Sequence, residues 1–332
     1  MRQNGSRQHN LRRLQSLRLP CRKGKPRPHN GCTFRKRGVR TSLRRQVSYD
    51  KLRSVLAANA LRLHKLIFGL FFTVRVQVRK LKTLLHEMSW MEAKEYFRKS
   101  DVAVLPVGSN EQHGPQNPLG TDHLIAKAIA EETAKRAEVV CLPVVPFGVS
   151  AHHRQFWGTI YVSPATFKSY VKEVCLALNY YGTWKIVIVN GHGGNIPALT
   201  ELARELREKG IFVSVFQWWE ASGKLLPSLF QPEERQHASA EETSMNLALH
   251  PQMVNMDKAV DEEPRRHPAQ FHGIILPLDT VDVTSFGVLG KSTTASAEKG
   301  RKVFEAVVNE LVKHVNQLKM MRIEDLTAKP KV

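Results

Sequence analysis

From Asp101 onward, short apolar runs alternate with longer stretches of helical period. The β-branched runs Val102–Val107, Val139–Pro146, Lys185–Val189 and Ile211–Phe216 are predicted to be buried strands. Between them, His123–Arg136, Pro164–Tyr181 and Ile196–Lys209 have the spacing of helices. Strictly alternating strands and helices predict an α/β fold, with a mainly parallel sheet covered by helices on both faces. A last helix, Ala295–Leu318, carries Val303, Val307, Leu311 and Val315 on one stripe. The charged, proline-marked stretch Asp261–His272 and the glycine-bearing stretch Asp282–Thr294 read as loops.

Before Asp101 the pattern changes. The chain has 332 residues and a formal charge of +20, which by itself suggests a polyanionic partner. That charge is confined to one end: residues 1–86 hold 23 Lys and Arg against the single acid Asp50. The remainder is close to neutral. Residues 1–50 have few large apolar groups and no periodicity, as expected of a disordered segment. Leu61–Leu84 has the composition of a basic amphipathic helix, and its apolar peak Leu66–Val74 is too short to cross a bilayer as a helix. The basic stretch has three readings: an organellar transit segment, a nucleic-acid or membrane tether, or sequence upstream of a start at Met88 or Met91. The abrupt change of composition at Met88 favours the last, with Met88–Glu95 opening an ordinary helix. The expected organisation is a basic extension over 1–87, one catalytic domain over 88–320, and a tail over 321–332. Nucleic-acid or membrane binding is not expected of the catalytic domain. Cys21, Cys32, Cys141 and Cys175 form no metal-binding spacing, and reduced thiols in the cytoplasm are expected.

Three short segments carry candidate chemistry. Glu111-Gln-His113 is followed nine residues later by Asp122, in a loop rich in glycine and proline. Two residues apart on an extended chain, Glu111 and His113 point to the same side, and the loop can bring Asp122 back to them. His192 lies in Asn190-Gly-His-Gly-Gly-Asn195, between a predicted strand and helix, where open α/β sheets bind ligands. His237-Ala-Ser-Ala-Glu241-Glu242-Thr243 precedes a helical stretch ending near Leu249. Glu242 in the first turn could simply complement the helix dipole, and Glu241 competes with it as a ligand. Mixed nitrogen and oxygen donors suit Zn²⁺, Mn²⁺ or Fe²⁺ better than Ca²⁺ or an iron–sulfur cluster.

These motifs, in this order, resemble the creatininase family of metal-dependent amidohydrolases. The resemblance runs from about Trp90 to Gln317 and includes Val104–Gly108, Gly158–Ile160 and Ala297–Gly300. It implies a three-layer α/β/α fold, a homohexamer and two divalent metal ions (Zn, Mn or Fe) per subunit. By the resemblance, Asp122 bridges the metals, with Glu111 and His192 completing one site and His113 and Glu242 the other. A metal-bridging hydroxide would attack the carbon of a small-molecule amide, and His237 would protonate the leaving nitrogen. By the resemblance His153 matches a position facing the substrate, and Gln116, standing where many relatives have a histidine, is expected to bind the substrate with it.

The chain departs from the creatinine-specific pattern at several points. Gly194 replaces a ligand glutamate and Glu233 a tryptophan, while His152 replaces the glutamate of a Ser-x-Glu-His loop. Trp218 and Trp219 could line the pocket or pack in the core. The glycine version of the second motif resembles the branch that holds an archaeal formamide hydrolase of flavin biosynthesis. The expected activity is therefore hydrolysis of a non-peptide C–N bond in a small amide or formamide, the formylaminopyrimidine phosphate and creatinine being the named possibilities. A metal-dependent peptidase of the mycofactocin-maturation type and a binding protein working through the basic end are the alternatives.

Overall fold

A computed structural model describes residues 82–327, together with residues 57, 59 and 60 upstream. The readings placed on residues 1–50, on most of Leu61–Leu84 and on Cys21 and Cys32 lie outside the described residues.

Four parallel strands form the centre: β1 (Val102–Val107), β2 (Val140–Cys141), β3 (Lys185–Asn190) and β4 (Phe212–Gln217), in the order β2-β1-β3-β4. Six consecutive residue pairs join β1 to β3, and six join β3 to β4. β1 and β3 are buried along their whole length, which explains their unbroken β-branched runs. Alternate residues feed two separate cores. Val102, Val104, Val187 and Val189 face one side, against Ile125 and Ile129 and the stripe Val303, Val307, Leu311 and Val315. Ala103, Leu105, Ile186 and Ile188 face the other, against Phe167, Val171, Leu199 and Leu202.

The helices supplying those side chains are α2 (Thr121–Ala137) and α8 (Ala297–Met320) on the first face, and α3 (Pro164–Tyr180) and α4 (Ile196–Glu208) on the second. Among residues 82–327 the other α-helices are α1 (Trp90–Phe97), α5 (Trp218–Leu225), α6 (Ala240–Leu249) and the single turns α7 (Thr280–Val283) and α9 (Ile323–Leu326). The result is the expected three-layer α/β/α architecture. Side-chain caps fix two of the helix starts: Ser163 accepts from Thr166 N ahead of Pro164, and Ser89 and Glu92 form a reciprocal capping box on α1. Among the described residues no helix is long and apolar enough to cross a membrane.

Two expectations shift. The strand predicted over Val139–Pro146 shrinks to Val140–Cys141 plus an isolated bridge from Val145 to Val107. Pro143 and Pro146 have no N–H to give a ladder. The packed body also reaches upstream of Met88. Leu84 pairs with Cys141 at the sheet edge, Cys141 N donates to Thr83 O at 2.7 Å, and Leu84 packs against the first core.

Candidate metal centre

Four loops and helix starts converge beyond the carboxyl ends of β1 and β3. Glu111 and His113 follow β1, and His192 follows β3. Asp122 occupies the first turn of α2, not the preceding loop, because the helix starts two residues earlier than the apolar period suggests. Thr121 Oγ1 bonds Pro118 O there, and an acid in a first turn suits the helix dipole. Glu242 sits in the first turn of α6.

Asp122 is the common member. Its Oδ1 lies 3.0 Å from His113 Nε2, and its Oδ2 lies 3.1 Å from His192 Nδ1. Glu111 Oε2 is 3.1 Å from the same His192 nitrogen, and Glu242 Oε2 is 3.6 Å from His113 Nε2. Two groups of possible ligands result, Glu111/Asp122/His192 and His113/Asp122/Glu242. A third, Glu111/His113/His237, overlaps both.

The far nitrogen of each imidazole is already engaged. His192 Nε2 donates to Val149 O at 3.0 Å, and His113 Nδ1 to Glu111 O at 3.2 Å. Those bonds fix the tautomers and turn the lone pairs of His192 Nδ1 and His113 Nε2 inward, the usual way a histidine is prepared for a metal. Both Glu111 carboxylate oxygens, Asp122 Oδ2 and His113 Nε2 are buried with no aligned hydrogen bond. Buried polar atoms left unpaired are costly, and here they point to one centre. Divalent cations fit this donor set.

The electrostatics agree. Burial opposes a charge on His113, but Asp122 and then Glu242 raise its pKa to about 10. His192 is raised in the same way, against burial, by Glu111 and Asp122. Asp122 is held low despite burial, first by His113, whereas burial lifts Glu242 to about 7. Protons on two imidazoles thus occupy positive charge that a cation would supply. His237 stays neutral, through burial and then through the charge on His113.

A cavity of about 400 Å³ opens from the cluster and is bounded by His152, Gln217, Trp219, Glu220, Arg235 and Thr280, among others. His237 and His153 also line it. His153 Nε2 lies 3.3 Å from Glu111 Oε1, so this ring braces a candidate ligand as well as facing the cavity. Gln116, expected toward the substrate, is buried at 1% exposure outside the cavity wall, where its amide donates to Ala238 O at 2.8 Å. Glu241 turns away from the cluster to accept from Ser222 at 2.6 Å and Arg235 at 2.9 Å, leaving Glu242 in it. The tryptophan pair divides: Trp218 is core and Trp219 lines the cavity. A Cβ at Gly194 would overlap Val149 O and His192 Nε2, so the departure there is tied to how His192 is held.

Sequence reasoning missed Gln112, Thr280 and Arg235. Gln112 was inside a quoted motif and could have been weighed. Thr280 and Arg235 reach the cavity only through long-range packing.

A three-layer α/β/α body with this ligand set at the end of its sheet defines a metal-dependent hydrolase. The chain belongs to the creatininase family, whose model, described as creatinine amidohydrolase, matches residues 86–315. It is 29% identical over 250 residues to the creatinine amidohydrolase of Pseudomonas putida, covering 70% of this chain and 95% of that one. It is 33% identical over 236 residues to the mycofactocin precursor peptide peptidase of Mycobacterium tuberculosis, covering 65% and 85%. A formylaminopyrimidine deformylase of Methanobrevibacter ruminantium matches over a shorter span, 29% over 151 residues, covering 45% and 58%. A mutant creatininase structure described as the Zn–Zn type superposes with a TM-score of 0.62 at 27% identity, covering 72% of this chain and 99% of that one. A creatininase structure described by Mn gives the same TM-score and identity.

Proposed function

We propose that the protein hydrolyses a C–N bond of a small amide or formamide at a centre of two divalent cations. The observation that carries this is Asp122, whose two oxygens address two different inward-facing imidazoles. Glu111 and His192 would hold one ion, and His113 and Glu242 the other, with Zn or Mn favoured by the relatives' structures. When bound, the ions supply positive charge that lowers the pKa of water and offsets charge developing on the carbonyl oxygen.

The protein's own residues do the rest. His237 lines the cavity with Nδ1 on the cluster side, 3.9 Å from Glu111 Oε1. As a neutral imidazole it takes a proton from the attacking water and passes it to the leaving nitrogen. Gln116 and Glu242 position it by holding Ala238, its neighbour, through Ala238 O and Ala238 N. Arg235, Gln217 and His152 are the polar groups placed to select the substrate. A cavity of about 400 Å³ suits a small molecule.

The second reading is a peptidase, favoured by the 33% identity to the mycofactocin precursor peptidase. A screen of the metal-reconstituted protein against creatinine, the formylaminopyrimidine phosphate and short peptides separates them. Turnover of peptides alone would overturn the small-amide assignment. A cytoplasmic, homohexameric enzyme belongs to the same proposal. Buried unpaired Cys141 and Cys175 support the compartment, and the 97% exposed Trp157 supports association.

A further inference from the structure

The cavity wall holds a fixed positive charge, and the substrate class inferred from it rests on the hydrolase reading above. Among the described residues that line the cavity, Arg235 is the sole lysine or arginine. Its partly buried side chain joins the end of α5 to the start of α6. Nη2 donates to Leu226 O at 2.7 Å, and Nη1 to Glu241 Oε1 at 2.9 Å. Glu241 is buried, and the same Oε1 accepts from Ser222 Oγ at 2.6 Å. The ring of Phe230 supports the guanidinium, with Cζ 5.4 Å from the ring centroid. Of the five N–H groups that a guanidinium carries, two are used in this way and three are left.

We propose that the substrate carries an anionic group, a carboxylate or a phosphate, which Arg235 receives while the scissile C–N bond lies at the metal centre. The guanidinium is planar and always charged, and it suits two parallel bonds to either kind of anion. Glu241, Leu226 O and Phe230 fix its orientation before the substrate arrives, so little further ordering is needed on binding. Most other acids of the wall are otherwise engaged. Glu111, Asp122 and Glu242 face the inferred ions, and Glu220 is exposed, where water and salt screen its charge. Glu241 balances Arg235 formally, so its removal should strengthen the preference for an anion. Gln217, Gln236 and Thr280 are neutral groups that can complete the contacts.

The test uses the zinc-loaded full chain and three formamides of similar skeleton: N-formylethanolamine, N-formylglycine and O-phospho-N-formylethanolamine. They end in a hydroxyl, a carboxylate and a phosphate. Wild type should favour one charged compound over the neutral one by about tenfold or more in kcat/KM, and the compound that leads identifies the anion. In Arg235→Gln that ratio should fall by about tenfold or more, the scale of a lost charge-assisted hydrogen bond, with the change carried by KM. Arg235→Lys should recover part of it. Glu241→Gln should raise the ratio above wild type. Because Arg235→Gln leaves Glu241 unpaired, the double variant Arg235→Gln/Glu241→Gln accompanies it and should show the same low ratio without a buried lone charge. Circular dichroism and zinc content check that each variant is folded and loaded. An ion pair that only joins α5 to α6 would slow all three compounds alike and leave their ratios at the wild-type value. That result, or a wild-type enzyme that favours the neutral compound, would overturn the proposal. If wild type hydrolyses none of the three, the hydrolase reading fails for formamides, and calorimetric Kd values for the same compounds decide the role of Arg235. No tighter binding of either anion than of the neutral compound would then overturn it.

Discussion

Glu242 Oε2 accepts a hydrogen bond from the main-chain N–H of Ala238 at 2.7 Å. Ala238 is a fully buried non-glycine residue at φ 57°, in the left-handed region that L-residues seldom enter. The carboxylate that faces His113 therefore also holds the turn that presents His237.

Glu242→Gln separates those two duties. Glutamine keeps an acceptor for Ala238 N–H, so stability should fall by no more than about 1 kcal/mol. The neutral amide is a poor ligand, and the ion held with His113 should be lost while the one held with His192 remains. Metal analysis beside thermal unfolding checks this. Retention of both ions would remove Glu242 from the ligand set.

Metal uptake should release protons. In the metal-free protein the His113 pKa is raised from 6.5 to about 10, and that of His192 is raised as well. Both rings are protonated at neutral pH, and a ligand must lose its proton to bind. Zinc affinity should therefore increase with pH through the neutral range, flattening as pH passes about 10. In the metal-free protein the sign is opposite. Because the folded-state pKa of His113 is raised, its contribution to stability is complete below 6.5 and lost as pH rises through about 10. Calorimetric titration in buffers of different ionisation enthalpy reads the protons released. No release at pH 7 would contradict the assignment.

Gly194→Glu would restore the glutamate expected of creatinine-specific relatives, and it should fail here. The new Cβ overlaps Val149 O and His192 Nε2, and overpacking of this kind costs about 1–3 kcal/mol. His192 loses the carbonyl that orients it, and the ion it shares with Glu111 should bind at least tenfold more weakly, in line with the roughly 10–100-fold cost of losing an outer-shell partner. Unchanged stability and affinity in the variant would show that the loop around residue 194 yields easily.

Much of this was legible in the chain. β1 and β3 are buried on both faces, so their unbroken Val and Ile runs mark them almost to the residue. The spacing of Glu111, His113 and Asp122, with His192 after a strand, pointed to one site because the topology of a parallel sheet brings such loops together. What was hidden depends on contacts distant in sequence. Nothing local shows that Gln116 bonds Ala238, or that Glu241 is taken by Ser222 and Arg235. The early start of α2 was masked by Pro118-Leu-Gly120, which reads as loop. The short β2 reflects two prolines at an edge that also takes in Thr83 and Leu84.

The most direct test of the account is the metal content of Asp122→Ala beside wild type, both reconstituted with zinc and checked for folding by circular dichroism. Asp122 is the single residue common to both inferred ion sites, so wild type should hold close to two equivalents and the folded variant close to none. A folded Asp122→Ala protein that keeps two equivalents would contradict the shared centre.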